Sequence, residues 1–478
     1  MQKVGAIVLA GMSLFALAAA AADVTVVFTN VVGQVNPKIH SSGWGPRIYP
    51  RAIRRDEPDL KPLNLYAART HDWALINQGQ RVVDTHFIFP LMHLDAKDPK
   101  NYYFKPTDDL LNLSRQMGLK LFYRLGTSIE HTAEHHYNIL PPEDNEKYAE
   151  VLAGIMRHYL KGWADGFRWA DDFDGWEIWN EPDGISNCWG GNGKGGKELR
   201  GEFVRFFVTV LRRLKAEFPD QQIGGPALCS ANKEYFTELL TACKAAGVAP
   251  DFVSWHCYSQ NGFAAAGSAH EMRKLLDELG FPRTRLILNE WHYIRTWDGI
   301  HGKDSTPEAI RRAHEGPTGH LNVDSAAFNL RTLIGFQNSP IDEAFYYGSG
   351  ASGNWGYFTR YGEYNKCWYS MKMFGDFVRR TKSRVAVRMP KHVAQTVGAL
   401  AGFSADGKTA SLLVVDYRGK EPGLKVDLAG LPPPKAVEAL VLDHTRDLAP
   451  VSLAVDKGLL TLPRADANSY AYLLTFEL

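Results

Sequence analysis

Two glutamates, each directly preceded by an asparagine, stand in widely separated runs: Glu181 in "DGWEIWNEPDG" and Glu290 in "LILNEWH". Each ends a short stretch of aliphatic, β-branched and aromatic residues that reads as a strand, so a carboxylate and an amide arrive together at a strand terminus. Two carboxyl groups brought to one pocket can cut the bond between sugars. One donates a proton to the departing oxygen and the other meets the oxocarbenium-like carbon. Pro182 lacks a ladder N–H, so it is expected to end the first strand directly after its carboxylate and to open a loop there. Asn-Glu-Pro alone is a tripeptide that chance supplies; joined to "LILNEWH", three strand-like units later, the signal becomes specific.

Positioning such residues requires a scaffold whose strand ends converge. Eight strand-like segments recur from residue 36 onward: "KIHSSGW", "LYAARTHD", "LKLFYRLG", "GWEIWNE", "QIGGPAL", "FVSWHCYS", "RLILNEWH" and "EAFYYGSG". Amphipathic helical patterns such as "EKYAEVLAGIMRHYLKGWADG" and "LRGEFVRFFVTVLRRLKAEFP" run between them. This alternation predicts parallel strands with crossover helices and, at eight units, a closed (β/α)8 barrel, with an open doubly wound sheet as the competing pattern. Most segments are apolar at the start and polar at the end, as in Arg69 and His71, Asn180 and Glu181, His256 and Tyr258, Asn289 and Glu290. In a barrel those ends meet at one mouth.

The barrel is expected over residues 36–378, followed by a β-sandwich over 379–478 built from "ASLLVVDY", "LKVDLAG", "VEALVLD", "VSLAVD" and "YAYLLTF". Residues 23–35, with the run "VTVVFT", are expected to add a strand to that second domain. Residues 1–22 read as a secretory signal peptide: a lysine at the start, a short run rich in alanine and glycine, and small residues before Asp23. Export, to the periplasm or the medium, is the implied localisation, and no later run is apolar enough to suggest a membrane span.

Lys plus Arg number 54 against 53 Asp plus Glu, so no net field draws in nucleic acid. Twelve tryptophans in a chain that is 12% aromatic suit stacking on neutral amphipathic ligands, and also an aromatic-rich core. The cysteines, at 188, 229, 243, 257 and 367, are odd in number and form no CxxC, so most are expected as small buried apolar side chains.

The ordered pair "WEIWNEPD" and "LILNEWH" resembles the clan of retaining glycoside hydrolases with (β/α)8 barrels. More closely, the chain resembles glycoside hydrolase family 39, the β-xylosidases and α-L-iduronidases. The resemblance rests on "RTHD" after strand two, "NYYFKPTDDLLNLSRQMGLKLFYRLGTSIE" through strand three, "WHCYS" after strand six, and the terminal β-domain. It implies Glu181 as general acid/base and Glu290 as nucleophile. It further implies that Asn180 bonds the sugar's 2-hydroxyl, that Arg69 steadies Glu290, and that His71, His256 and Tyr258 line the subsite at the cleaved bond. Glu177 shares strand parity with Glu181 and reads as a buried partner or an ion pair. The family pattern leads one to expect a tryptophan directly on strand eight. Here "FYYGSGASGNWGYF" puts Tyr346 and Tyr347 on the strand and delays Trp355, the candidate stacking ring, to a glycine-rich loop; Trp189 and Trp297 are further candidates.

The expectation is therefore an exported, metal-independent and cofactor-free retaining hydrolase acting from the end of a pentoside-containing glycan, with a carboxyl separation of roughly 5 to 5.5 Å. Two other readings compete with it. One is a carbohydrate-binding protein on a decayed hydrolase scaffold, which the presence of both glutamates disfavours. The other is a metal-dependent hydrolase using His131, His135 and His136, disfavoured by the lack of an HExxH pattern and an insecure helix. The exact sugar, the anomeric configuration and the oligomeric state leave no mark in the residues.

Overall fold

The computed structural model describes residues 22–478 apart from 47, 50–53, 56, 73–80, 131–137, 185–187, 191–194, 197, 301–305, 351–354, 360, 421 and 465–467. The histidines of the metal alternative, His131, His135 and His136, lie outside the described residues, as does most of the leader. Eight parallel strands close into a barrel in chain order: β1 (Ser41–Gly43), β2 (Ala67–Arg69), β3 (Lys120–Leu125), β4 (Phe173–Ile178), β5 (Ile223–Leu228), β6 (Phe252–Ser259), β7 (Arg285–Tyr293) and β8 (Glu343–Tyr346), with β8 pairing back to β1. Each of the eight segments read from the sequence overlaps one of them.

Helices wrap the outside because their apolar stripes need the outer face of the strands. The helix Asn145–Lys161 shows the local grammar. The Asp144 side chain caps it by accepting from the Glu146 and Lys147 amides, Leu152, Ile155, Met156 and Tyr159 are buried, and Gly162, with φ 75°, ends it.

Inside the barrel, side chains two apart on one strand share a face, and this period sorts the interior into layers. Ala67, Phe122, Phe252, Ile287 and Phe345 form a dry plug. Phe122 lies 5.2 Å from Phe252 and 4.9 Å from Phe345, ring centre to ring centre. Gly175 makes room for it: a Cβ there would stand 2.4 Å from the Phe122 ring. One step further along the same faces come Arg69, Glu177, Ser254, Asn289 and Tyr347. Hydrophobic closure below therefore leaves the polar layer facing only the C-terminal mouth.

The second region is a ten-stranded mixed sheet that includes Val24–Gln34 at its centre, paired antiparallel with Ser383–Arg388 and parallel with Gly423–Ala429. It curls around its own core, which includes Val26, Val385, Val414, Val426, Leu462, Leu474 and Phe476. The run "VSLAVD" supplies only the short strand Val455–Asp456, because its alternation is carried by exposed or half-buried residues. The sheet grips the barrel through Arg418, whose guanidinium donates to Asp324 and to the Tyr293 hydroxyl, both at 2.7 Å. Among the described residues no helix is long and apolar enough to cross a membrane. All five thiols are free; Cys188, Cys243 and Cys367 are buried, and Cys229 and Cys257 half-buried.

Candidate active site

Arg69, fully buried at the end of β2, is the hub of the mouth. Its Nε donates to Glu177 Oε2, Nη1 to Glu290 Oε1 and Nη2 to Asn180 Oδ1, each at 2.7 Å. Glu177 balances the guanidinium and is itself fixed through its other oxygen, which accepts from Ser254 Oγ and Asn289 Nδ2 at 2.7 Å. A buried arginine needs such partners, since an unpaired ion in the interior is strongly destabilising. Of the sequence alternatives for Glu177, a buried ion pair is the one formed.

Two local departures from strand geometry bring consecutive residues to the same side. The β4 ladder ends at Ile178, three residues before Glu181, so Pro182 does not terminate it as expected. Trp179 (φ 74°) and Glu181 (φ 50°) adopt left-handed backbone, where a side chain other than glycine is strained. The Trp179 amide donates to Leu125 O at 2.7 Å and the Glu181 amide to Ala227 O at 2.9 Å, which holds the turn between β3 and β5. Asn180 and Glu181 then both reach the mouth. On β7 the register against β6 shifts between Leu288 and Glu290. This bulge lets neighbours that would point to opposite faces, Asn289 and Glu290, both project inward.

The two carboxylates meet across His256. One oxygen of each and a His256 ring nitrogen lie within 4.8 Å of one another. His256 Nδ1 lies 2.8 Å from Glu181 Oε1, within hydrogen-bond distance, and 3.3 Å from Glu290 Oε2. The Tyr258 hydroxyl donates to Glu290 Oε2 at 2.6 Å, and the Cys188 thiol to Glu181 Oε2 at 3.6 Å. This trio is the one group among the described residues with donor atoms close enough to share a metal ion. All four carboxylate oxygens already have a hydrogen-bond partner.

Burial lifts both carboxyls above the ordinary range, and each is lifted further by its neighbours' negative charge, Asp72 for Glu181 and Glu181 for Glu290. They therefore titrate as a pair. Glu290 receives a guanidinium and a phenol, whereas Glu181 receives an imidazole and thiols. Burial also pushes the His256 and His71 imidazoles down.

Around this pair, His71 Nε2 stands 3.4 Å from Asp72 Oδ2 and 3.8 Å from Glu290 Oε1. Asp72, against burial that pushes it up, is held well below the usual carboxylate range by His71, Arg81 and Arg124. The buried polar atoms with no hydrogen-bond partner among the described residues include Asn180 Nδ2, His71 Nδ1 and His256 Nε2. Such atoms are costly in a closed core and useful where a polar ligand enters.

Trp355 does come to the mouth: its ring centre lies 5.6 Å from Tyr258, 5.4 Å from Tyr347 and 5.0 Å from His292. Trp297 stands 5.6 Å from Tyr258 and is 46% exposed. Trp189 does not serve as a platform. It is buried between Trp179 and Phe203, at 5.0 Å from each, because its indole anchors the loop rather than the ligand side. Asp72, Tyr347, Cys188 and Cys229 also belong to the mouth without having been singled out as site residues. Tyr347 was legible from parity, two after Phe345; the cysteines carried no such signal.

Residues 61–287 match the family described as Glycosyl hydrolases family 39, a stretch that holds Arg69, His71, Asn180, Glu181, His256 and Tyr258 and stops three residues short of Glu290. A β-xylosidase of Geobacillus stearothermophilus is 29% identical over 124 residues, 26% of this chain; the match spans only 22% of that relative's length. Among solved structures, a glucosidase from Croceicoccus marinus superposes with a TM-score of 0.74 at 20% identity, covering 96% of this chain and 99% of the other. A monomeric β-xylosidase from Caulobacter crescentus CB15 (TM-score 0.66, 17% identity) and an α-L-arabinofuranosidase from Thermotoga maritima (0.62, 13%) each cover 96% of this chain and 100% of theirs. At these identities the superpositions establish the fold.

Proposed function

Because the barrel is glycoside hydrolase family 39-like over residues 61–287, we propose that this chain is an O-glycoside hydrolase that cleaves by double displacement with retention of configuration. The observation that carries the reading is that one oxygen of Glu181 and one of Glu290 lie within 4.8 Å of each other. Retaining enzymes bring their carboxyls to roughly 5 to 5.5 Å, and inverting ones leave a wider gap for water.

Glu290, its charge held by Arg69 and Tyr258, attacks the anomeric carbon as Glu181 protonates the departing oxygen. A covalent glycosyl-enzyme results, with the leaving alcohol freed. Glu181, now ionised, takes a proton from water, which attacks the same carbon, releases the sugar and restores both carboxyls. Asn180, oriented through its carbonyl by Arg69, has its Nδ2 free for the 2-hydroxyl, a contact that strengthens as charge develops. His71 and His256 offer ring nitrogens to the sugar's other hydroxyls, and Trp355 is the candidate stacking ring. No cofactor enters this scheme.

A terminal xyloside or arabinoside is the proposed substrate, supported by the xylosidase and arabinofuranosidase among the chains this one is similar to. The signal-like leader supports action outside the cytoplasm. Aryl xylosides, arabinosides and glucosides, with the corresponding polysaccharides, test the reading, using Glu290→Gln as control. Release of one terminal sugar by wild type alone supports it. Turnover by the variant equal to wild type, or sugar affinity with no turnover of any glycoside, contradicts it.

A further inference from the structure

The mechanism leaves two buried nucleophilic side chains unused, and both lie against the same carboxylate. Cys188 is 4% exposed and donates to Glu181 Oε2. Cys229, just beyond β5, sets its thiol against Glu181 and Asp183, while its backbone amide donates to Asp183 Oδ1 at 2.9 Å. The two thiols converge over Gly184: a Cβ on that residue would stand 3.1 Å from Cys229 Sγ and 3.5 Å from Cys188 Sγ. The loop is pinned from behind, since Trp179 Nε1 donates to Cys188 O at 2.9 Å and Trp189 is packed among Trp179, Phe203 and Phe206. Cys188 is therefore held in place by two tryptophans whose rings face away from the ligand side.

We propose that Cys188 and Cys229 are positioning residues that set the proton affinity of Glu181, and with it the upper pH limit of the reaction; the inference rests on the hydrolase reading given above. Every other element facing Glu181 supplies a different influence. Asp183 on its own loop, Glu290 on β7 and Asp72 after β2 repel its negative charge. Arg69 on β2 attracts it, and His256 on β6 hydrogen-bonds the opposite oxygen, while the Tyr258 and Tyr347 phenols lie nearby. Burial and repulsion push the carboxyl up, and the thiols, which bond to its charged form, pull it back. A thiol is a weaker donor than a hydroxyl. It trims the proton affinity of Glu181 without turning the residue into a permanently ionised carboxylate. This matters because one side chain must give a proton in the first half-reaction and accept one in the second.

The thiols are suited to remaining donors. Burial and the adjoining carboxylates hold both far above the ordinary thiol range, so neither becomes a thiolate while Glu181 works. A reactive cysteine needs the opposite surroundings, with positive charge and an accessible thiolate. Iodoacetamide at neutral pH should therefore leave activity intact.

The test is the pH profile of kcat/KM on a phenyl glycoside, whose departure needs a proton, for Cys188→Ala, Cys229→Ala and the two serine variants. Cys243→Ala, in the distant helix Lys233–Ala245, is the control. Loss of a thiol raises the proton affinity of Glu181, so each alanine variant should move the basic limb upward by about half a unit or more, while serine, the stronger donor, should return the limb to its wild-type position or below it. Turnover of a dinitrophenyl glycoside, which departs unaided, should keep its rate of glycosyl-enzyme formation. A parallel readout does not need catalysis: 13C-NMR titration of the Glu181 carboxyl, identified by its loss in Glu181→Gln, should show the same upward shift. A Glu181 titration unmoved in both alanine variants overturns the inference, as does a limb shift equalled by Cys243→Ala. If wild type turns over no glycoside yet the NMR shift is seen, the hydrolase reading fails while the thiol–carboxyl coupling stands.

Discussion

The barrel buries a pair of carboxyl groups beside an arginine at each end, and the two ends handle the charge in opposite ways. At the closed end, Asp174 at the start of β4 accepts from Lys38 Nζ at 2.8 Å and 2.9 Å and from the Tyr66 hydroxyl at 3.2 Å. Glu343 at the start of β8 faces Arg285 at 3.0 Å. Against burial, Glu343, Lys38 and Arg285 hold the Asp174 carboxyl at about 2, while burial and the Asp174 charge push Glu343 well up, so that it keeps its proton and shares it with Asp174. One carboxyl is fully charged, the other neutral, and both are turned toward partners inside the protein. At the mouth, Glu181 and Glu290 are both pushed up, and three polar atoms beside them lack partners. One pair divides into a lowered and a raised carboxyl, whereas the other has both carboxyls raised beside unpartnered amide and imidazole nitrogens.

Substitutions at the two ends should therefore separate activity from stability. The largest effect is expected from Glu290→Gln, which removes the attacking carboxylate: a fall of order 10^4 or more in kcat/KM on every substrate, with Tm little changed. Glu181→Ala should lose about 10^2 to 10^4 on phenyl glycosides and far less on dinitrophenyl glycosides in the first half-reaction. Equal losses on both substrates would contradict its role as proton donor. At the closed end the sign of effect turns to stability. The lowered pKa of Asp174 contributes about 2 kcal/mol that is present above its unfolded value near 3.8 and lost as pH falls through about 2. Asp174→Asn should lower stability by about that amount at neutral pH, flatten the acid limb of the unfolding curve, and keep kcat. Glu343→Gln is the smallest change expected. Because Glu343 is already protonated in the fold, a neutral amide should leave Tm at pH 7 unchanged or slightly raised, and should remove the loss of stability that its raised pKa imposes as pH climbs above the unfolded value. Loss of activity in either closed-end variant would erase the contrast.

The contrast also explains what could be read from the chain beforehand. Barrel strands announce themselves because the plug residues, Phe122, Phe252, Ile287 and Phe345, precede the polar ones at a strict period of two. Arg69, His256 and Tyr258 follow from that period. The turn at Trp179 and Glu181 and the bulge at Asn289 break it, and nothing in a hydrophobic pattern marks a left-handed residue or a skipped register. Hence the strand before Glu181 ends earlier than Pro182 suggests. The thiols of Cys188 and Cys229 reach Glu181 from two different loops, a convergence that only the folded backbone creates. In the curled sheet, Asp447–Pro450 is short and has no fully buried side chain, and Leu459–Pro463 alternates in burial but carries a leucine on its exposed face, so neither shows a clean apolar–polar alternation in the sequence, whereas "VSLAVD" does.

The central claim is that Glu290 forms a covalent bond to the sugar while Glu181 faces it across one linkage. A dinitrophenyl 2-deoxy-2-fluoropentoside tests this directly, because the fluorine slows both formation and hydrolysis of the glycosyl-enzyme while the dinitrophenolate leaving group restores its formation. Peptide mass spectrometry of the inactivated protein should find a single fluoropentosyl group on the peptide containing Glu290, absent from Glu290→Gln. A label on any other residue, or steady turnover with inverted product and no adduct, would contradict the account.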